Sequence, residues 1–120
     1  MKNEKKDLLP RTKMFARRII RLYCSLSKTD TVAQVVGRQV LRSGTSVGAN
    51  YREANRARSK AEFISKMGDC LKEADETLYW LELLLDEKIV LEKKLGPVVA
   101  ESSELVASFI TILKKARGHE

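Results

Sequence analysis

Four stretches of this chain repeat apolar residues at intervals of three and four, with only short polar breaks between them. The most regular stretch keeps a heptad spacing through Phe63, Met67, Leu71, Ala74, Leu78, Leu81 and Leu85. This spacing places apolar side chains on one face of an α-helix. Only two prolines, Pro10 and Pro97, occur in the 120 residues. The pattern therefore predicts a fold built from packed helices.

The boundaries of four helices follow from the periodicity and from capping signals. We expect the helices near Arg11–Lys28, Val32–Arg56, 60–87, and from 92–97 to Arg117. Thr31 before Gln34 and Ser59 before Glu62 have capping-box spacing. Because all the connections are short, neighbouring helices should pack antiparallel. We predict an all-α, antiparallel up-down four-helix bundle forming a single domain over residues 1–120, with residues 1–10 flexible.

The second predicted helix carries glycines where a core helix normally has large apolar residues. Its inner ladder is Val36, Val40, Ser43, Val47, Asn50, Ala54 and Ala57, and Gly37, Gly44 and Gly48 lie close to it. Each glycine costs about 1 kcal/mol relative to alanine inside a helix. Either the helix breaks near Ser43–Ser46 or another backbone approaches closely there. We expect a continuous helix in close contact, because the ladder keeps its phase.

The charge of the chain is uneven. Residues 1–60 contain 15 Lys and Arg against 4 Asp and Glu, a net charge of +11, whereas residues 61–120 carry −4. A basic half of this size indicates a polyanionic partner. The alternative is that acidic helices neutralise basic ones within the bundle or between subunits.

Four arginines of the second helix, Arg38, Arg42, Arg52 and Arg56, fall within about 80° of arc opposite the apolar ladder. Guanidinium groups in such a row suit successive phosphates. Further cations follow in Arg58 and Lys60, and Arg17 and Arg21 lie opposite the apolar face of the first helix. We predict nucleic-acid binding through Arg17, Arg21, Arg38, Arg42, Arg52, Arg56, Arg58 and Lys60. The alternatives are that these arginines form a solvated helix face or that they pair with acids on a neighbouring subunit.

Catalytic and metal-binding patterns are missing from the sequence. The only histidine, His119, is next to last, which argues against histidine-based acid–base chemistry. Asp69, Glu73 and Glu76 are interpreted as exposed acids. We predict no enzyme activity, no cofactor and no metal.

Cys24 and Cys70 lie beside core-type residues, so we interpret both as buried free thiols. The charged N-terminus lacks a signal-peptide pattern, and no long apolar run is evident. We therefore expect a cytoplasmic protein without membrane contact.

Asn50 and Glu53 are unusual in the second helix. An asparagine on an inner ladder needs polar partners and often fixes register or subunit geometry. Glu53 lies one turn away and is expected to pair with Arg38, Arg42 or Arg56 on the same or another chain. We assign Gly44, Gly48, Asn50 and Glu53 a structural or assembly role.

The stretch from Arg42 to Asn50, RSGTSVGAN, is specific enough to suggest a family, together with Glu53-Ala54, Ser59 to Phe63 and Glu73 to Leu81. With these segments the chain resembles the S23, or 23S ribosomal-RNA intervening-sequence, family of four-helix-bundle proteins. The resemblance covers nearly the whole chain.

The resemblance implies a fold and a class of partner. Some relatives are encoded in insertions within 23S ribosomal RNA genes. A distant branch, the accessory proteins of diversity-generating retroelements, forms homopentamers with a basic surface that bind nucleic acid and a reverse transcriptase. We expect a non-enzymatic homo-oligomer, with a pentamer favoured, that binds RNA or DNA, and a reverse-transcriptase partner only in a retroelement context. A structural or adaptor protein whose basic face meets an acidic partner is the alternative. The basic stripe has few aromatic residues, so base stacking is not indicated.

Overall fold

The computed structural model describes residues 4–118, with side chains from residue 8 onward. It contains four α-helices: α1 (Glu4–Ser25), α2 (Thr31–Asn55), α3 (Lys60–Asp86) and α4 (Glu92–Ala116). No strand occurs in these residues. The prediction of an all-α four-helix bundle is confirmed.

Consecutive helices run in opposite directions. Gly44 of α2 lies against Ile19 of α1, and Gly48, one turn further on, lies against Thr12. Moving toward the C-terminus of α2 therefore means moving toward the N-terminus of α1, so the two helices are antiparallel. The α2–α3 contact is the most extensive in the bundle and the α1–α4 contact is the least extensive. The up-down arrangement agrees with these contacts.

The starts of α2 and α3 test the two predicted caps. Ser59 accepts a hydrogen bond from the backbone N–H of Glu62 at 3.0 Å, so the predicted cap of α3 is confirmed. The predicted cap of α2 at Thr31 is wrong. Asp30, one residue earlier, caps the helix by accepting from the backbone N–H of Ala33 at 3.0 Å. Asparagine, aspartate and serine cap helices better than threonine, which explains the shift.

The first helix is longer than the sequence suggested. The predicted start at Arg11 is wrong, because α1 begins at Glu4 and continues through Pro10. Leu8 extends the apolar face by two turns and is fully buried. Residues 1–3 of the predicted flexible segment lie outside the described residues.

The second helix is continuous from Thr31 to Asn55, as expected from the phase of its ladder. Val40, Ser43, Val47 and Ala54 are buried. A different residue from the one predicted fills the ladder near its end, since Tyr51 is fully buried whereas Asn50 is only half-buried. The Tyr51 ring stacks on Phe109 of α4, with ring centroids 6.1 Å apart.

The two cysteines have different surroundings. Cys70 is fully buried in the core, whereas Cys24 is exposed. The prediction of a buried thiol at Cys24 is therefore wrong. At about 100° per residue, Cys24 lies about 200° around α1 from the buried Leu22, so it points away from the core.

The turn from α3 to α4 uses a lysine in a backbone conformation that favours glycine. Lys88 has a φ of 58°. The backbone N–H of Ile89 donates to the carbonyl of Leu84, and that of Lys88 donates to the carbonyl of Leu85, both at 3.0 Å. These two bonds form a Schellman motif that satisfies the last carbonyls of α3.

Within the described helices, α4 is long and apolar enough, by length and composition alone, to cross a membrane. Core helices of soluble proteins meet the same criterion, and α4 buries Leu105 and Phe109 inside the bundle. The expectation of no membrane contact stays a prediction.

Candidate nucleic-acid interface

The arginines of α2 all lie on its outer surface, because α1 and α3 cover the other sides of the helix. Arg38, Arg42, Arg52 and Arg56 are exposed, as their positions opposite the ladder predicted. The structure nevertheless divides them into two groups, according to whether α3 supplies an acid.

Arg42 is paired across the α2–α3 contact. Its guanidinium group contacts the carboxylates of Glu76 and of Glu73, the latter at 3.4 Å. It also donates to Gln39 at 3.2 and 3.3 Å. The ring N–H of Trp80 donates to the same Glu76 oxygen at 3.0 Å. Most of the charge of Arg42 is therefore neutralised within the chain.

The acids of α3 consequently differ from their predicted state. Glu73 and Glu76 were interpreted as exposed, but both are half-buried beside Arg42. Asp69 is exposed as expected. The predicted interpretation failed for the first two because it took α3 alone and omitted the cation that α2 brings.

The remaining cations of the predicted set have no such partner. Each is exposed, and none forms a side-chain ion pair or hydrogen bond with another residue of the described chain. These seven, called the free cations below, are Arg17, Arg21, Arg38, Arg52, Arg56, Arg58 and Lys60. Exposed cations without acidic neighbours raise the local concentration of polyanions.

Arg11 is a cation that the structure assigns to the fold. Its guanidinium group forks onto the Glu101 carboxylate of α4 at 2.9 and 3.0 Å and reaches Glu104 at 3.2 Å. The hydrogen bond to Glu101 is the main reason that the pKa of Arg11 is raised. This fork joins α1 to α4, the least extensive contact in the bundle.

Gly44 and Gly48 allow α1 to approach α2 closely. A Cβ atom at Gly44 would lie 2.8 Å from Cγ1 of Ile19, and one at Gly48 would lie 3.3 Å from the backbone oxygen of Thr12. Side chains at these positions would separate the two helices. The structure therefore gives both glycines a role inside the chain, whereas their predicted role in assembly is not tested.

Asn50 and Glu53 also differ from expectation. Asn50 is half-buried, not an inner-ladder residue, and its side chain forms no hydrogen bond with another described residue. Glu53 contacts Nζ of Lys66 on α3 at 2.8 Å, so it does not pair with a described arginine of its own chain, whereas pairing with an arginine of another chain stays a prediction. This contact raises the pKa of Lys66.

No group of three or more His, Cys, Asp or Glu side chains in the described region is arranged to hold a metal ion. His119 lies outside that region.

The family model described as 23S rRNA-intervening sequence protein matches residues 4–111. This chain belongs to that family. The function of the family is not established, and it is not a known enzyme family.

A crystal structure supports membership in the 23S rRNA-intervening sequence protein family. It is a protein of unknown function from the S23 ribosomal protein family of Bacteroides thetaiotaomicron, solved at 1.70 Å resolution. The two chains are 42% identical, with a TM-score of 0.82 over 88% of this chain and 97% of the other. No functionally curated protein matches the chain.

For this family member, the sequence located the exposed arginines but missed which of them are paired. The spacing of Glu73, Glu76 and Trp80 along α3 contained a usable signal. Residues three and four apart share one helix face, so an acid pair beside a tryptophan indicates a partly covered polar contact. Arg42 is the arginine nearest to that face in the antiparallel register.

Proposed function

We propose that this chain is a non-enzymatic, homo-oligomeric helical bundle that binds RNA or DNA through the free cations of α1, α2 and the α2–α3 turn. The observation that carries this proposal is their lack of anionic partners among the described residues. Phosphate neutralisation by Arg and Lys supplies most of the affinity of such surfaces. The family description, which refers to a 23S rRNA intervening sequence, supports RNA as the first ligand to test.

The proposed partner contacts are mainly to phosphates. Arg38 and Arg52 of α2 and Arg56 at its C-cap extend along about 27 Å, at 1.5 Å per residue. Such a row meets several phosphates in succession, and backbone contacts of this kind position a nucleic acid without reading its sequence. We therefore expect low sequence specificity.

Exposed apolar side chains support a homo-oligomer, and the family resemblance alone favours a pentamer. Val32 and Val35 of α2 are 54% and 50% exposed, and Leu91 at the start of α4 is 76% exposed. They lie at the end of the bundle where α2 and α4 begin, at a distance from Arg52 and Arg56. Light scattering after size-exclusion chromatography measures the number of subunits directly.

The experiment that tests nucleic-acid binding compares two triple variants of equal charge. Arg38→Ala/Arg52→Ala/Arg56→Ala removes free cations, whereas Lys72→Ala/Lys93→Ala/Lys94→Ala removes three exposed cations from α3 and α4. Affinity for a labelled structured RNA is measured by fluorescence anisotropy over a range of salt concentrations. We expect the arginine variant to lower the slope of log K against log salt by about 2 to 3, and the lysine variant to change it little.

Two results contradict the proposal. If the slope of log K against log salt falls equally in both variants, then net charge, and not the free cations, governs binding. Absence of wild-type affinity for RNA and DNA, together with loss of the oligomer in the arginine variant, favours the alternative of an adaptor with an acidic protein or subunit partner.

A further inference from the structure

A groove of about 790 Å³ lies on the outer side of the α1–α2 contact. Its volume falls within the range of about 300 to 1,000 Å³ that is usual for small-ligand sites. Leu9, Pro10 and Ala16 line it from α1, and Gly48 and Ala49 line it from α2. The close approach of the two backbones at Gly48 forms its floor, and Leu9 remains 41% exposed.

Cations flank this groove from both helices. Lys13 lines it from α1, and Arg52 and Arg56 line it from α2. All three are exposed, and none is paired with another described side chain. Among the described residues of the lining the only acid is Glu53, whose carboxylate lies 2.8 Å from Nζ of Lys66 on α3. The groove therefore carries uncompensated positive charge on both walls.

The polar side chains of the lining are directed back to their own helices. The hydroxyls of Thr12 and Thr45 each donate to the carbonyl four residues earlier, at 2.7 Å. The amide of Asn55 does the same at 3.0 Å. The uncharged remainder of the lining is largely aliphatic: the side chain of Leu9, the Pro10 ring, and the methyl groups of Ala16 and Ala49.

We infer that this groove holds an unpaired nucleotide of a bound RNA strand. The base lies on the aliphatic surface, and the phosphates on either side of it are neutralised by Lys13 on one wall and by Arg52 and Arg56 on the other. This inference rests on the proposed function and adds to it a preference for unpaired RNA over duplex RNA.

The chemistry of the groove favours a nucleotide over other anions. A base presents a flat apolar face between two phosphates, and bases taken out of a stack are held between aromatic or apolar side chains. A duplex keeps its bases stacked, so it presents only phosphates to Arg52 and Arg56. The aliphatic surface adds nothing to duplex binding.

The test fills the groove without changing its charge. Ala49→Leu places a larger side chain in the groove, and leucine at this exposed helical position is a strong helix former. Ala107→Leu, at an exposed position of α4, is the matched control. The probes are a short single-stranded RNA and the RNA duplex of the same sequence. A further probe is a phosphatidylglycerol vesicle.

We expect Ala49→Leu to weaken single-strand binding about tenfold and to leave duplex binding within about twofold of wild type. Ala107→Leu should change neither. If the wild type binds both RNAs and Ala49→Leu binds them with the same affinity, the groove assignment is overturned and the proposed function stays intact. Equal weakening for both RNAs also overturns it, because the base then contributes nothing.

Two further outcomes count against the assignment. If wild type binds neither RNA, the proposed function fails and the nucleotide assignment fails with it. If Ala49→Leu removes binding to the vesicle while RNA affinity stays at the wild-type value, the groove holds a lipid chain.

Discussion

α2 contacts α3 along one side and α1 along the other, and the two contacts are built differently. Toward α3, polar side chains meet partners: Arg42 contacts Glu76, and Thr77 donates to Ser43 at 2.8 Å. Toward α1, Gly44 and other small residues allow the backbones to approach, and no ion pair joins the two helices in the described residues.

The difference has an electrostatic cause. α3 carries acids opposite α2, so cations on that side are neutralised inside the chain. α1 is strongly basic, with Lys13, Arg17, Arg18 and Arg21 within three turns, so it cannot neutralise the arginines of α2. Close packing without acids therefore leaves a basic surface that is available to a partner.

The largest expected effect comes from breaking the glycine contact. Gly44→Val forces β-branched atoms against Ile19, where a single Cβ would already lie 2.8 Å from Cγ1. We expect a loss of about 3 kcal/mol in the free energy of unfolding, measured by urea denaturation. Gly68→Val is the control, because nothing lies within 4 Å of a Cβ there, and it should change stability by less than about 0.5 kcal/mol. Equal effects at both positions would show that α1 does not need this close approach.

The polar contact with α3 is tested by removing one buried hydroxyl. Thr77→Val keeps the shape of the side chain but deprives Ser43 of its donor. We expect a loss of about 1 to 2 kcal/mol in chemical denaturation. Thr111→Val, at an exposed position whose hydroxyl bonds only its own helix, should cost less than about 0.5 kcal/mol. A neutral Thr77→Val contradicts the role assigned to the pair.

Cys70 makes stability depend on alkaline pH. Burial, reinforced by the Asp69 carboxylate, raises the pKa of the Cys70 thiol from 9.0 to about 12. Above the lower value the unfolded chain releases a proton that the folded chain retains, so folding stability falls as pH rises toward the higher value. Between pH 9 and about 12, the free energy of unfolding of the wild type should fall by up to about 1 kcal/mol per pH unit more than that of Cys70→Ala. Parallel pH curves for the two proteins are inconsistent with this burial.

The smallest expected effect is at the turn between α3 and α4, away from both contacts of α2. Lys88→Gly relieves the positive φ of 58° and should stabilise the fold by about 0.5 to 1 kcal/mol. Lys94→Gly, inside α4, should instead destabilise it by up to about 1 kcal/mol. Thermal unfolding of the two variants gives the comparison, and a destabilised Lys88→Gly contradicts the strain assigned to the turn.

Local signals in the sequence were enough to predict much of the fold. Heptad spacing in α3, the Ser59 cap and the unbroken phase of the α2 ladder each correspond to an observed feature. The errors concern features that depend on contacts with a second helix. Leu8 extends α1 because the bundle buries it in its hydrophobic core, and Cys24 faces outward despite its apolar neighbours in sequence.

The candidate site was less predictable because pairing is a tertiary property. A helical wheel placed Arg42 and Arg56 on one exposed face, and both are exposed. Only the antiparallel register shows that Glu73 and Glu76 reach Arg42 while no described acid reaches Arg56. The groove was also hidden from sequence, since its two walls come from residues at least 29 positions apart.

The division of the arginines into free and paired residues is tested most directly by comparing the salt dependence of RNA affinity in Arg56→Ala and in Arg42→Ala. Arg56 is free and Arg42 is paired, yet each variant removes one exposed arginine, Arg42 within α2 and Arg56 at its C-cap. We expect Arg56→Ala to lower the slope of log K against log salt by about 1, whereas Arg42→Ala should leave it near the wild-type value. If the slope falls equally in the two variants, or falls more in Arg42→Ala, then Arg56 is not the free cation and Arg42 is not the paired one.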